Sequence, residues 1–294
     1  MIIHIIIILF NIILANPDST NVNQGSNYFK NLKLKNMNLD PKGLLNTSSI
    51  ASKGIFLTKE RIDSIKIKAK NFIPQEISKH DTIIIETTKG TLKLIYYPEV
   101  APNHCYNFKK LANSGFYDET KFHRIIKNFM IQGGDILSRD SNQNNDGQGG
   151  PGWQVDEEFS KLKHKRGTLS MARGPSPNSA GSQFFICHKD TPWLDESYTV
   201  FGEVIENIHI LDLIADTPTG YTTAKLNCLS AIPENENADN WIKLQDPKTR
   251  ELMYSKIPQD KTKVEYSEFM INKLRSDYPT APVVIRKIRV INEK

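Results

Sequence analysis

The sequence predicts a mainly β domain whose strands close into a barrel, and three observations carry that reading. Short runs rich in β-branched and aromatic residues, "KFHRII", "FMIQGG", "GTLSMA", "SQFFIC" and "YTVFGEV", follow one another between residues 121 and 204. Helical spacing in this region is confined to a stretch before these runs and another after them. The last apolar run, "PVVIRKIRVI" (282–291), alternates apolar and basic residues as a strand does. It stands alone behind a polar segment, well placed to pair the edges that an open sheet would leave bare.

Taken in order, the chain opens with "MIIHIIIILFNIILA" (1–15), apolar but for His4 and Asn11. This run is shorter than the ~20 residues a membrane-crossing helix needs and fits the apolar part of a signal peptide, although no Lys or Arg precedes it. Export, to a periplasm or out of the cell, is the expectation; an uncleaved membrane tether and a cytoplasmic location are the alternatives. Residues 16–79 read as an N-terminal extension. Up to about residue 57 it is rich in Asn, Ser, Lys and Gly without a period, as a linker would be, and carries a formal glycosylation sequon at Asn46. From Thr58, Ile62, Ile65, Ala69 and Phe72 fall near one face of an amphipathic helix.

The compact domain spans 80–294. "DTIIIETTKGTLKLIYYP" (81–98) reads as two strands joined at "TKG". In "APNHCYNFKKLANSG" (101–115), Pro102 starts a helix, Cys105, Phe108, Leu111 and Ala112 share a side, and Gly115 stops it. "NIHILDLIAD" (207–216) is a second helix. Residues 230–281 read as an insertion of mixed charge before the closing strand, with a helix in "YSEFMINKL" (266–274).

Composition excludes several classes. The chain has 294 residues, 38% hydrophobic and 24% charged, and its net charge of +5 is spread along it. These are the proportions of a soluble globular protein. The largest basic cluster, Lys161, Lys163, His164, Lys165 and Arg166, lacks interleaved aromatics and reads as a solvated loop, so no nucleic-acid partner is expected. Three cysteines, Cys105, Cys187 and Cys228, cannot form a fully paired framework, and no Cys/His cluster has metal-ligand spacing, so no metal or other cofactor is expected. "GQGGPG" (147–152) matches GxGxxG, but no strand precedes it, no helix follows it, and Pro151 lacks a backbone donor. It is a glycine-rich loop.

"FHRIIKNFMIQGGD" (122–135) sets Arg124 in an otherwise apolar run, with Gln132 eight residues on. Together with "GTLSMARGPSPNSAGSQFFIC" and "WLDESYTVFGEV", in this order and spacing, it resembles the signature blocks of the cyclophilins, the cyclophilin-type peptidyl-prolyl cis-trans isomerases. The likeness covers about residues 81–216 and the last strand, and is nearest the small single-domain form typical of bacteria. It implies a closed eight-stranded antiparallel barrel capped by two helices, and rotation about X–Pro bonds in support of protein folding.

The resemblance also implies roles. Arg124, Phe129 and Gln132 form the catalytic set, with Arg124 donating to the prolyl nitrogen as the amide twists. Phe129, Met130, Phe185 and Leu194 make the apolar cup for the proline ring. Gln132 and Gln183 hold substrate backbone, Ala172 and the backbone of Arg173 bind the residue before proline, and His123 and Trp193 lie at the rim. Gly147 borders the neighbouring subsite. Tyr198 stands where many eukaryotic members carry histidine, and the loop "ARGPSPNSAG" is one residue longer than theirs, which predicts altered preference rather than lost activity. Proline-containing polypeptides are the implied partners, cyclosporin the implied inhibitor, and a monomer the implied state. A second reading is a proline-segment binding or chaperone-like module whose turnover is incidental, kept open by the extension and the insertion.

Overall fold

The structure, a computed structural model, describes residues 57–292. The apolar run at 1–15 with its export reading, the segment 16–56 and the Asn46 sequon lie outside the described residues.

Helix α1 (Lys59–Asn71) starts where Thr58 accepts the Arg61 N–H on its hydroxyl at 3.3 Å. It buries Ala69 and packs Ile62 and Ile65 on the main core, while Phe72 leaves the helical path as its C-cap. The chain behind it is anchored by Lys109, whose Nζ reaches the Glu76 carbonyl at 2.8 Å and the Asp81 carboxylate at 2.7 Å. That ion pair is almost wholly buried, so removing either partner would strand a charge at a cost of about 3–5 kcal/mol.

The barrel follows with β1 (Asp81–Thr87), β2 (Gly90–Tyr96), α2 (Pro102–Ser114), β3 (Thr120–Lys121), β4 (Arg124–Ile126), β5 (Met130–Gly133), β6 (Thr168–Met171), β7 (Phe184–Cys187), β8 (Val200–Glu206) and α3 (His209–Ala215). An insert then contributes α4 (Gly220–Leu226), β9 (Trp241–Gln245), β10 (Leu252–Lys256) and α5 (Lys263–Leu274), and β11 (Val284–Asn292) ends the described chain. Among the described residues, nine strands form one antiparallel sheet in the order β3-β11-β1-β2-β8-β6-β7-β5-β4. The two outermost strands are halves of one segment, 120–126, parted by Phe122 and His123. The first half pairs with β11 and the second with β5. The sheet therefore returns to its own beginning through the covalent chain rather than through a ladder, and the count is nine strands where eight were expected because that segment breaks in the middle.

Inside lie Ile83, Ile85, Leu92, Leu94, Ile131, Phe184 and Phe201, all fully buried. Helix α2 covers one opening with Phe108, whose ring sits 5.1 Å from Tyr117, 5.3 Å from Phe184 and 5.4 Å from Phe201. Helix α3 brings Leu211 and Ile214 to the same core.

The insert has a core of its own: Ala224, Ile242, Leu244, Met253, Tyr266, Met270 and Leu274. It begins at α4 rather than at residue 230, because Ala224 belongs to that core and Thr219 caps α4 through a reciprocal pair with Thr222. Its two ends are stitched together. The Thr280 N–H donates to Pro218 O at 2.7 Å, the Gly220 N–H to Tyr278 O at 3.1 Å and the Tyr221 N–H to Ser276 O at 2.8 Å.

Candidate active site

The register of four strands explains why a core-like run carries an arginine. Arg124 on β4 pairs with Gln132 on β5, Gln132 with Phe185 on β7, and Phe185 with Ser170 on β6. Side chains alternate across a strand, so this row occupies one face while Ile125, Ile131, Phe184 and Ile186 fill the barrel behind it. On the row's own face Met130, Phe185 and Cys187 are buried in a small second cluster, with Phe129, Ala172, Leu194 and Tyr198 packed against it.

These residues enclose a cup of about 130 Å³ lined by Arg124, Phe129, Met130, Gln132, Ala172, Arg173, Phe185, Leu194 and Tyr198. A larger cavity of about 720 Å³ adjoins it, sharing Gln132, Ala172 and Arg173 and adding Gly147, Gln183 and, from α1, Lys66. Trp193 stands at the edge, 65% exposed, its ring 5.7 Å from that of Phe129. His123 departs from expectation. It is 6% exposed and lines neither cavity, so it does not stand at the rim, and burial lowers its pKa. Arg173 uses its side chain on its own surroundings, stacked 4.7 Å over Tyr198 and donating from Nε to Ser197 O at 3.0 Å, so its backbone is the part left to face a ligand.

A polar ladder crosses the floor. Arg124 Nη1 donates to Gln132 Oε1 at 3.4 Å, Gln132 Nε2 to Gln183 Oε1 at 3.0 Å, and Gln183 Nε2 to the carbonyls of Gly147 and Gly149 at 2.9 Å each. The loop it reaches wraps a buried carboxylate. Asp135 accepts from the backbone of Gly147, of Gly149 at 3.2 Å and of Leu137 at 2.7 Å. A Cβ at Gly149 would fall 1.9 Å from Asp135 Oδ1, and Gly147 holds a φ of +86°. Gly147 and Gly149 thus serve a side-chain anion of the protein itself, and the match to the dinucleotide pattern is accidental.

Asp146 in that loop is pushed up to about 6, first by burial and then by Asp135 and Asp140; Lys121 and the Tyr278 hydroxyl pull the other way. Neither of its oxygens has a hydrogen bond of normal geometry. With the folded pKa above the ordinary 3.8, the folded state binds this proton more tightly than the unfolded chain. The resulting stability is complete below about pH 4 and lost as pH rises through 6. Asp146→Asn is therefore expected to be more stable than the parent at pH 7.5 by about 1 kcal/mol, discounted for a partly buried group, and equal to it near pH 4. Thermal melts at both pH values check this; a gap that does not change with pH counts against it.

Two contributors escape a reading of sequence. His164 sits in the basic run taken for a solvated loop, yet it is 1% exposed and its ring stacks on Phe185 at 5.9 Å and 12°. It spans Asp195 Oδ1 at 3.1 Å and Ser170 Oγ at 3.0 Å, fixing the back of the cup. Arg166 of the same run is tied to Asp212 at 2.9 Å. The second is Asp277, from the insert, whose Oδ2 lies 3.5 Å from Arg124 Nε. Nothing in the pattern of residues 230–281 announces it.

Comparison with known proteins finds relatives of this chain by sequence. The sequence model of the family described as cyclophilin type peptidyl-prolyl cis-trans isomerase/CLD matches residues 82–230. Peptidyl-prolyl cis-trans isomerase-like 1 of Neurospora crassa is 44% identical over 142 residues, covering 47% of this chain and 82% of that protein. A peptidyl-prolyl cis-trans isomerase of Synechococcus elongatus is 46% identical over 120 residues, covering 41% and 77%. Peptidyl-prolyl cis-trans isomerase-like 2 of Gibberella zeae is 43% identical over 157 residues, 52% of this chain, but the match spans only 26% of that longer relative. A crystal structure of a Cryptosporidium parvum cyclophilin type peptidyl-prolyl cis-trans isomerase, in the presence of the dipeptide Ala-Pro, aligns with 71% of this chain and 98% of that one at 26% identity and a TM-score of 0.47.

Proposed function

The chain belongs to the cyclophilin-type peptidyl-prolyl cis-trans isomerase family, and on that premise we propose that its cup turns X–Pro bonds in proline-containing polypeptides, with Arg124 as the group that lowers the barrier. The observation that carries this reading is the placement of one guanidinium beside an otherwise apolar cup.

The barrier to be lowered is roughly 18–20 kcal/mol and arises from loss of conjugation between the amide nitrogen and its carbonyl. No bond is made or broken. As the amide twists, the nitrogen lone pair localises and becomes a better hydrogen-bond acceptor. Phe129, Met130, Phe185 and Leu194 hold the ring; the Ala172 and Arg173 side receives the residue before proline; Gln132 and Gln183 hold backbone. Arg124, which presents its N–H donors in a fixed fork, donates to the nitrogen only as the lone pair appears. A contact that strengthens along the twist raises kcat, whereas one present throughout does not. A protease-coupled assay on proline-containing peptides tests the activity directly.

Cyclosporin binding is part of the same proposal. Trp193 is exposed at the cup's edge and offers an indole N–H beside a broad apolar face. Cyclosporin is expected to inhibit at or below micromolar concentration. Trp193→Phe should weaken it by a few-fold to about tenfold, the value of one hydrogen bond of roughly 0.5–1.5 kcal/mol, and alter peptide turnover less. Titration of both proteins decides it: resistance of the parent, or equal inhibition of the two, removes Trp193 from this role.

A further inference from the structure

We propose that the insert is part of the catalytic apparatus, with Asp277 acting as a positioning residue for Arg124. The inference rests on the reading of Arg124 given above and adds a second element of the fold to it.

The geometry divides the guanidinium between two neighbours. Its Nε faces Asp277 Oδ2 at 3.5 Å, while Nη1 faces Gln132 across the cup floor at 3.4 Å. Gln132 lines the cup and Asp277 does not, so the carboxylate meets the guanidinium from outside the cup's lining while Nη1 is turned to a residue within it. The Arg124 side chain is 44% exposed and that of Asp277 is 18% exposed. A half-exposed arginine left alone would sample many rotamers. A carboxylate fixed beside Nε removes part of that freedom before the substrate arrives.

Asp277 is itself held from both ends. Its carbonyl accepts the Ile125 N–H at 2.9 Å, one residue from Arg124, and its Oδ1 takes Lys248 Nζ at 2.7 Å. That ammonium also lies 3.9 Å over the Tyr221 ring at the base of the insert. On either side of Asp277, Ser276 O and Tyr278 O accept from Tyr221 and Gly220. The position of the carboxylate is thus set by the fold of the insert, and a chain of contacts runs from Lys248 through Asp277, Arg124, Gln132 and Gln183 to the Gly147 loop.

A brace for β4 alone would need only the backbone bond from Ile125, which survives any change of the side chain. The role of the carboxylate is therefore separable from that of the strand. A carboxylate acting mainly to cancel Arg124's charge would make the opposite prediction, because its removal would raise turnover.

The test uses the full chain and four variants: Asp277→Asn, Lys248→Gln, Arg124→Ala and Arg124→Ala combined with Asp277→Asn. Asp277→Asn is expected to lower kcat about five- to tenfold with KM within a factor of about two, the signature of a group misplaced only when the transition state forms. Lys248→Gln should lower kcat in the same sense by less, and it stands in if Asp277→Asn does not fold. On the Arg124→Ala background the Asp277 change should have no further effect, which a purely structural role would not produce. Unchanged or raised kcat in Asp277→Asn, or the same loss with and without Arg124, overturns the proposal. An active Arg124→Ala protein would instead overturn the reading of Arg124 itself, so the two failures are distinguishable.

Discussion

Arg124→Ala is expected to lose about a hundredfold or more in kcat/KM while melting within a few degrees of the parent. Removing one donor from a preorganised site that stabilises developing charge costs about 10²–10³ in rate, or 2.7–4 kcal/mol. The low end applies here, since the Arg124 side chain is 44% exposed before the substrate covers it. The fold should tolerate the change. Arg124 contributes no side chain to the barrel core, and Ile125 and Ile131 keep the β4–β5 pair in place. The loss should fall chiefly on kcat, because the acceptor it serves exists only in the twisted amide. A variant retaining more than half of the parental kcat/KM would show that the guanidinium is not the group that lowers the barrier.

The parts of this molecule that were legible in sequence are those in which local pattern and tertiary role coincide. The hairpin at 81–96, helix α2 with Pro102 at its start and Gly115 at its end, helix α3, and the closing strand at 284–292 each carry their own periodicity and stop signals. The break in segment 120–126 does not. "TKFHRII" reads as one continuous strand, and only the need to pair first with β11 and then with β5 divides it. Helix α4 carries no local signal, for a related reason. "GYTTAKL" is short and weakly apolar, and its assignment to the insert depends on Ala224 meeting Met270 and Leu274 far along the chain.

The cup was legible because its residues come in ordered blocks whose spacing resembles a known family; their individual chemistry would not have sufficed. Phe129, Met130, Phe185 and Leu194 taken singly are ordinary core residues, and Arg124 alone is an ordinary strand residue. What no block could reveal is how residues outside the blocks close on the site. His164 hides in a run of positive charge, and its burial, its stacking on Phe185 and its bonds to Asp195 and Ser170 arise only in the closed fold. Asp277 lies in a segment without pattern, and it reaches Arg124 because the ends of the insert are pinned beside β4. Long-range placement of this kind is a property of the closed fold, so it leaves no signal in local spacing.

Truncation after Ala281 should give an insoluble or unfolded protein, the largest stability effect expected for this chain. Strand β11 pairs with the whole of β1, from Asn292 back to Ile285, and with β3 at its start, so its removal bares two edges at once. It also takes away Val283, Ile285, Ile288 and Val290, all buried, at about 1.5–3 kcal/mol each, or roughly 6–12 kcal/mol. A domain's whole stability is typically about 5–15 kcal/mol, so little would remain. The bidentate pair of Arg289 with Asp118, at 2.7 Å on each nitrogen, would be lost as well. Excision of the insert is the counterpart. Because Thr280 N already lies 2.7 Å from Pro218 O, joining these residues through a short linker should leave the barrel folded and melting cooperatively, with the second core removed as a unit. Such a protein should nevertheless turn over substrate more slowly, since Asp277 goes with the insert. Solubility, a thermal melt and a peptide assay on both deletions give the comparison. A soluble and active truncation at 281 would place the last strand outside the structure that holds the barrel together.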